Sequence, residues 1–426
     1  MWDTTLRDVW HAARSLRRSA SFTTVAVATL AIGIGATTAV FSVVDGVLLK
    51  PLPYPDADRL VAVWHDAPGA PGLTAVAGGL QISPSMLVTY QDENRSFDKV
   101  GVWTPSRLNV TGFAEPEQVA GVLVTSQALE AFGVPPLLGR WIGLEDEPPS
   151  APRVAMLSYG YWQDRFGGDS NIVGKTIDVD NTRAEIVGVM PRGFKFGDVS
   201  PQLILPFTIN RAALIPPPFC CNGIARLRDG VTIEQANADI ERMLPIWLER
   251  FPFPGGVVAQ AREVYLDTWR VAPALRPFKD DVIGGVRDVL WIVLAMIGIV
   301  FVIASANVAN LLLVRGQGRA VELDVRAALG AGSWRIARSM LAESALLALL
   351  GGLVGLFVAY GALQALLALA PQRLPRLDEL GLDGRALGFA SLVTLAAAAL
   401  FSIAPILRAA RTRLSTALRG SRGASA

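Results

Sequence analysis

Four long apolar stretches interrupt an otherwise mixed pattern of polar and apolar positions: residues 22–49, 289–314, 344–370 and 386–407. Each is about 20 residues or longer and almost free of charge, which is what a helix needs to cross about 30 Å of hydrocarbon. The first stands alone, and residues 50–288, of ordinary globular pattern, separate it from the other three. The pattern predicts one span, a large polar domain, then three spans joined by loops 315–343 and 371–385, with a tail at 408–426.

Inside 50–288 the period of the pattern changes every few residues. Ser83 followed by Pro84 predicts a helix N-terminus, with the helix running to about Asn94. Arg153–Leu157 reads as a strand, with Ser158 capping a short helix through Phe166. Residues 176–179 and 184–189 read as a hairpin around Asp180-Asn181. Ile224–Leu227 reads as a strand, and Thr232 with Gln235 forms a capping box opening a helix of about 18 residues. Short elements without a strand–helix–strand nucleotide pattern predict an α+β domain. Its length allows two subdomains, with a boundary expected in the Pro-rich stretch 201–218. The expected fold class is therefore a membrane all-α unit, one span plus three, carrying a large α+β extracytoplasmic domain.

Charge sets the orientation. Apolar residues make up 51% of the 426 and charged residues 18%, and the net charge of +2 gives no global field for nucleic acid. Basic residues cluster on alternate sides of the spans. Arg7, Arg14, Arg17 and Arg18 precede the first. Arg315, Arg319, Arg326, Arg335 and Arg338 lie between the second and third. Arg408, Arg411, Arg413, Arg419 and Arg422 follow the fourth. In 371–385 the arginines are balanced by Asp378, Glu379 and Asp383. The positive-inside rule then places both termini and the 315–343 loop in the cytoplasm, and the large domain outside. A cleaved signal is the rival reading of the first stretch. It is about twice a normal signal core, and no small-residue cleavage site follows near Leu49-Lys50-Pro51. Within residues 1–21, Leu6, Val9, Trp10 and Ala13 recur at helical spacing away from the arginines, predicting an amphipathic helix on the membrane surface.

Candidate chemistry is sparse. Asp169 to Thr176 approaches a P-loop, but Asp169 stands where the first glycine must let backbone amides wrap phosphate, and the segment enters a strand. It reads as a turn. The two histidines, His11 and His65, have no catalytic or metal-binding partners by spacing. Glu145, Asp146 and Glu147 beside Pro148-Pro149 read as a solvated loop. Cys220 and Cys221 are adjacent and cannot staple the domain; a vicinal disulfide, two buried thiols and an intermolecular bridge all remain open.

The 315–343 loop carries the sharpest local signal. Val321, Val325, Ala328 and Leu329 form one apolar stripe, with Arg319, Glu322 and Arg326 on other faces. Glu322 precedes Arg326 by one helical turn, a favourable pair, and Gly330 and Gly332 end the helix. Such a helix can dock on a cytoplasmic partner or lie on lipid. Within the spans, Gly351 and Gly355 permit close helix packing. Asn307 and Asn310 are expected to face other helices, in packing or gating. Asp45, near the outer end of the first span, is expected to reach water.

The run from Val321 to Ala331 resembles the coupling-helix signature of MacB/FtsX-type ABC permeases. So do Ala306-Asn307-Val-Ala-Asn310, the Gly351-Gly352 pair, Leu30 to Ala36, Phe41 to Val44 and Pro51 to Pro55. The external runs Phe166 to Asp169, Val187 to Pro191 and Arg226 to Thr232 are similar to the same group, in particular to its members with a duplicated four-span unit; this chain carries one copy. The resemblance implies a permease without its own ATP site, with ATP and magnesium held by a separate ATPase that docks at the 319–330 helix. It implies pairing with a second permease unit, as a homodimer or duplicated half, a periplasmic adaptor in export complexes, and work done by mechanotransmission. An FtsX-like regulator of an external enzyme and a lipoprotein-releasing permease are the alternatives within the same superfamily.

Overall fold

A computed structural model gives the structure of the chain and describes residues 2–74, 78–112, 116–251, 258–318, 333–369 and 381–401. It divides into two compact units, one of Met1–Lys50 with Gly285–Ala426 and one of Pro51–Gly284. Along the chain run α1 (Trp2–Arg18), α2 (Ala20–Val44), β1 (Leu60–Val63), β2 (His65–Asp66), α3 (Pro71–Thr74), α4 (Pro84–Glu93), β3 (Phe97–Thr111), β4 (Glu117–Val124), α5 (Ser126–Phe132), β5 (Leu138–Gly139), β6 (Val154–Leu157) and α6 (Tyr159–Phe166). There follow β7 (Thr176–Val179), β8 (Thr182–Val189), β9 (Leu203–Pro206), β10 (Asn222–Leu227), α7 (Ile233–Arg250), α8 (Val258–Arg262), β11 (Ala272–Pro273), β12 (Arg276–Pro277) and α9 (Phe278–Ile283). The chain closes with α10 (Val286–Gly318), α11 (Ser333–Leu369) and α12 (Gly384–Phe401).

In the first unit four helices are long and apolar enough to cross a membrane: Ala20–Leu49, Val286–Arg315, Leu341–Leu369 and Gly384–Phe401. The first ends in a π turn, Asp45–Leu49, and Lys50 turns extended before Pro51, as the ring of a following proline demands. Leu30, Ile34, Phe301, Val308, Leu347, Ala397 and Phe401 form the shared core, and Phe41 stacks on Phe389 with ring centroids 3.9 Å apart. Helix α1 turns Ala12 and Leu16 inward, whereas Trp10 is 58% exposed with the Arg14 guanidinium over its ring.

The second unit is built on one ten-stranded sheet, in order β12-β1-β10-β3-β4-β9-β6-β8-β5, with β7 bridging β3 and β8. Its pairs are antiparallel except β4 with β9 and β6 with β8. The local expectations hold in detail. Ser83, Ser158 and Thr232 each accept a backbone N–H at the start of α4, α6 and α7, and Gln235 closes the capping box. Asp180 and Asn181 both take positive φ, 50° and 60°, the left-handed pair that a tight hairpin needs.

The boundary expected at 201–218 is not a linker. It contains β9, which lies mid-sheet between β4 and β6 with every residue buried. Three buried cores among the described residues share one sheet instead: one around Tyr90, Met243 and Trp247, one around Phe132, Met156 and Phe196, and one holding Leu108, Trp162, Ile177 and Ile186. Of the prolines in 201–218, Pro206 ends β9, and a cis bond joins Pro217 and Pro218.

Candidate functional site

The 319–330 stripe falls outside the described residues, but the helices on either side of it are described, and they meet at a polar knot. Arg315, on the last turns of α10, donates through Nη2 to the Ser15 carbonyl (3.0 Å) and Ser15 Oγ (3.1 Å) of α1. The same guanidinium lies 3.6 Å from Glu343 of α11 and 4.8 Å over the Phe22 ring of α2. Ser15 Oγ donates to Glu343. The side chains of Arg315 and Glu343 are only 17% and 15% exposed. Both ends of the loop are therefore fastened to each other and to the N-terminal helix. Spacing alone had not shown this, because Ser15, Arg315 and Glu343 are distant in sequence.

The glycines of α11 meet α2 directly. A Cβ on Gly351 would come within 2.6 Å of Leu30 Cβ, and one on Gly35 within 2.7 Å of the Gly355 carbonyl. Gly355 faces the Ala31 carbonyl and Ile34 Cβ, each 3.2 Å from its would-be Cβ. Close backbone approach of this kind is how helices associate where lipid offers no hydrophobic gain.

Two polar expectations are corrected. Asp45 is buried, 3% exposed, and its Oδ1 accepts from Arg385 Nη1 at 3.4 Å; beside it Lys50 pairs with Asp383 at 2.9 Å. The π turn swings Asp45 in toward the start of α12 rather than out to water. Asn307 and Asn310 do not face the other described helices. Both lie on the exposed side of α10, because the helix turns Phe301, Ser305 and Val308 inward.

In the Pro51–Gly284 unit the acidic run is likewise not a free loop. Asp146 accepts from Arg140 through both oxygens (2.6 and 3.0 Å) and from the Gly143 N–H (2.8 Å). Burial pushes its carboxyl up, but Arg140 and the backbone amide hold it below the usual range. Glu147 caps α5, accepting from Ser126 N and Oγ at 2.7 Å, and burial raises it. Only Glu145 stays exposed. His65 is fully buried, its Nε2 2.7 Å from the Tyr90 hydroxyl, and burial lowers its pKa to about 4. Cys220 and Cys221 are free thiols; Cys221 is held well above and Cys220 below the usual thiol range by their mutual contact. The P-loop-like segment is a turn into β7, in which Asp169 takes the Asn171 N–H and pairs with Lys175. No cluster of three or more His, Cys, Asp or Glu side chains suited to a metal occurs among the described residues.

The MacB-like periplasmic core domain family matches residues 23–243, and the FtsX-like permease C-terminal family matches residues 294–414. A macrolide export ATP-binding/permease protein MacB of Burkholderia cenocepacia is 26% identical over 215 residues, 49% of this chain and 28% of that protein. The pyoverdine export ATP-binding/permease protein PvdT of Pseudomonas syringae is 25% identical over 240 residues, 55% of this chain and 34% of that one. The chain thus spans about a third or less of the length of these curated relatives. Among solved structures, the periplasmic region of MacB from Actinobacillus actinomycetemcomitans aligns at 14% identity and a TM-score of 0.35, covering 48% of this chain and 86% of that one.

Proposed function

Because the chain belongs to the MacB/FtsX-type ABC permeases, we propose that it is a transmembrane subunit of an exporter, driven by an ATPase on a separate polypeptide and working by mechanotransmission. The observation that carries this reading is the Ser15–Arg315–Glu343 knot. A force applied to the loop between α10 and α11 cannot be absorbed by its roots, since Arg315 and Glu343 tie them together and to α1. It passes into α10 and α11 as a block. Helix α10 follows α9 of the external unit after only Gly284-Gly285, so the same displacement is delivered to the chain outside.

In this reading the stripe of Val321, Val325, Ala328 and Leu329 seats in a cleft of the ATPase, with Arg319, Glu322 and Arg326 at its polar rim and Gly330 ending the helix. ATP and magnesium stay on that partner. Both termini lie in the cytoplasm in this reading, which the arginine distribution supports. A second permease unit completes the complex and supplies partners for the outward-facing amides of Asn307 and Asn310, which are costly against lipid. The core domain, outside, engages an adaptor. We expect stimulation of the cognate ATPase by the reconstituted chain to fall to its basal rate in Glu322→Arg and Leu329→Arg, with expression and assembly intact. Normal stimulation in both variants would remove the 319–330 segment from the coupling role.

A further inference from the structure

Cys220 and Cys221, the two cysteines of the chain, take no part in the coupling described above. They are free thiols, and their sulfurs lie 2.6 Å apart. Adjacent side chains of an extended strand point to opposite faces, which keeps neighbouring sulfurs apart. This pair lies just before β10, which starts at Asn222, and the chain there brings both sulfurs to one side. Their surroundings differ. Cys221 is fully buried in the core around Tyr90, Met243 and Trp247, whereas Cys220 is half-buried against that core. The contact between them lowers the Cys220 thiol and, together with burial, raises that of Cys221. The more exposed sulfur is thus the one favoured as thiolate, the nucleophilic form, with its neighbour in reach to resolve whatever it captures.

A bond between neighbours closes a ring through a single peptide unit. It removes almost no loop entropy from the unfolded chain and cannot act as a staple. Its effect is local, and two contacts carry it outward. Phe219, directly before the pair, has its ring centroid 5.8 Å from that of Tyr265, 6.2 Å from Trp269 and 6.3 Å from Trp247. Cys221 exchanges backbone hydrogen bonds with Ile82 in both directions (3.2 and 3.3 Å), one residue ahead of Ser83, the cap of α4. The Trp247 indole of α7 in turn donates to Ser85 of α4 at 2.8 Å. A rearranged backbone at 220–221 is therefore felt by the aromatic cluster on one side and by the start of α4 on the other.

We propose that Cys220 and Cys221 form a reversible redox site that exchanges with small disulfides, and that its oxidation shifts Phe219 against Trp247 and Trp269. The Cys220 thiolate attacks one sulfur of the small disulfide, and the other half leaves as a thiolate. Cys221 then loses its proton and attacks Cys220 Sγ, displacing the half still attached. Two thiols become one vicinal disulfide, and the small disulfide takes up both electrons and both protons to become two thiols. Exposure of the pair to an oxidising compartment rests on the exporter reading, which puts this unit outside; the exchange itself does not.

The test uses the full chain in lipid nanodiscs, without an ATPase, reduced with dithiothreitol and then given glutathione disulfide. Because the chain has two cysteines, counting thiols after denaturation reads this pair alone. N-ethylmaleimide should add to both cysteines of the reduced chain and to neither of the oxidised one, with no glutathione retained and no crosslinked dimer. Dithiothreitol should restore both thiols. Tryptophan emission should differ reversibly between the two states, and should not respond in Cys220→Ser. In Cys221→Ser a glutathione adduct should persist on Cys220, forming about tenfold or more faster than on Cys221 in Cys220→Ser. Thiols left intact by glutathione disulfide, a lasting adduct or dimer in the unaltered chain, unchanged emission, or equal adduct rates in the two variants would overturn the proposal. The first three are read on the unaltered chain, so a variant that fails to fold leaves the test standing. Because no ATPase is present, such a failure leaves the coupling role untouched, and loss of stimulation in the loop variants leaves the cysteine pair untouched.

Discussion

At the scale of single residues, burial decides what each titratable group can do, and burial is what sequence conveys least. His65 sits next to a turn-rich stretch and looks like any loop histidine, yet it is fully buried against Tyr90. Its pKa falls from 6.5 to about 4. A folded-state pKa below the unfolded one means that the unfolded chain binds the extra proton first. The stability contributed by neutral His65 is thus complete above about pH 6.5 and is lost as pH falls toward 4. Lowering the pH from 7.5 to 5 should cost the external unit about 2 kcal/mol from this residue alone. Chemical unfolding of the chain at the two pH values, compared with His65→Gln, checks this; an equal pH dependence in the variant would mean another group carries it. The acidic run fails to read from sequence for a related reason. Three consecutive acids beside two prolines carry no sign that Asp146 clamps Arg140 while Glu147 caps α5, because Arg140 and Ser126 lie off any local repeat.

At the scale of elements, legibility depends on whether the signal is local. Ser83, Ser158 and the Thr232/Gln235 box place three helix starts to the residue, since a cap and its partner lie within three positions. The Asp180-Asn181 turn is legible in the same way. The position of β9 in mid-sheet is not, because parallel pairing with β4 depends on residues some 80 positions apart. Between these cases lies the seam of α2 and α11. Gly351 and Gly355 announce close packing by spacing, but the partner, Gly35 with Leu30 and Ala31, emerges only from the fold. A side chain there must displace backbone. Gly35→Val and Gly351→Val should each destabilise the span bundle by about 1–3 kcal/mol or more, the usual cost of overpacking. Gly361→Val and Gly388→Val, where a Cβ meets nothing within 4 Å, should change little. Thermal unfolding in a fixed detergent ranks the four; equal losses in all would show helix propensity, not packing, to be the cause.

At the scale of the whole molecule, charge distribution and two sets of ion pairs in the fold bear on orientation together. Ion pairs stand at the two ends of the first unit. Lys50 with Asp383 and Arg385 with Asp45 join the end of the first span to the start of the fourth. Arg315 with Glu343 joins the second to the third near α1. Lys50 contacts Asp383 strongly enough to hold that carboxyl below the usual range. The first end carries balanced charge, the second an excess of arginine in α1 and beyond Arg315. A membrane with a negative cytoplasmic surface favours the second end inside. A reporter that is active only in the cytoplasm should therefore work when fused after Ala426. The same reporter inserted at Gly255, between α7 and α8, should be silent there, while an externally active one is functional. Replacing Arg14, Arg17 and Arg18 together by Glu removes the bias at the first span and should lower the Ala426 signal by making insertion heterogeneous. If that triple variant left the signal intact, orientation would be set by Arg315 and the three-span block instead, and the first span would insert to match it.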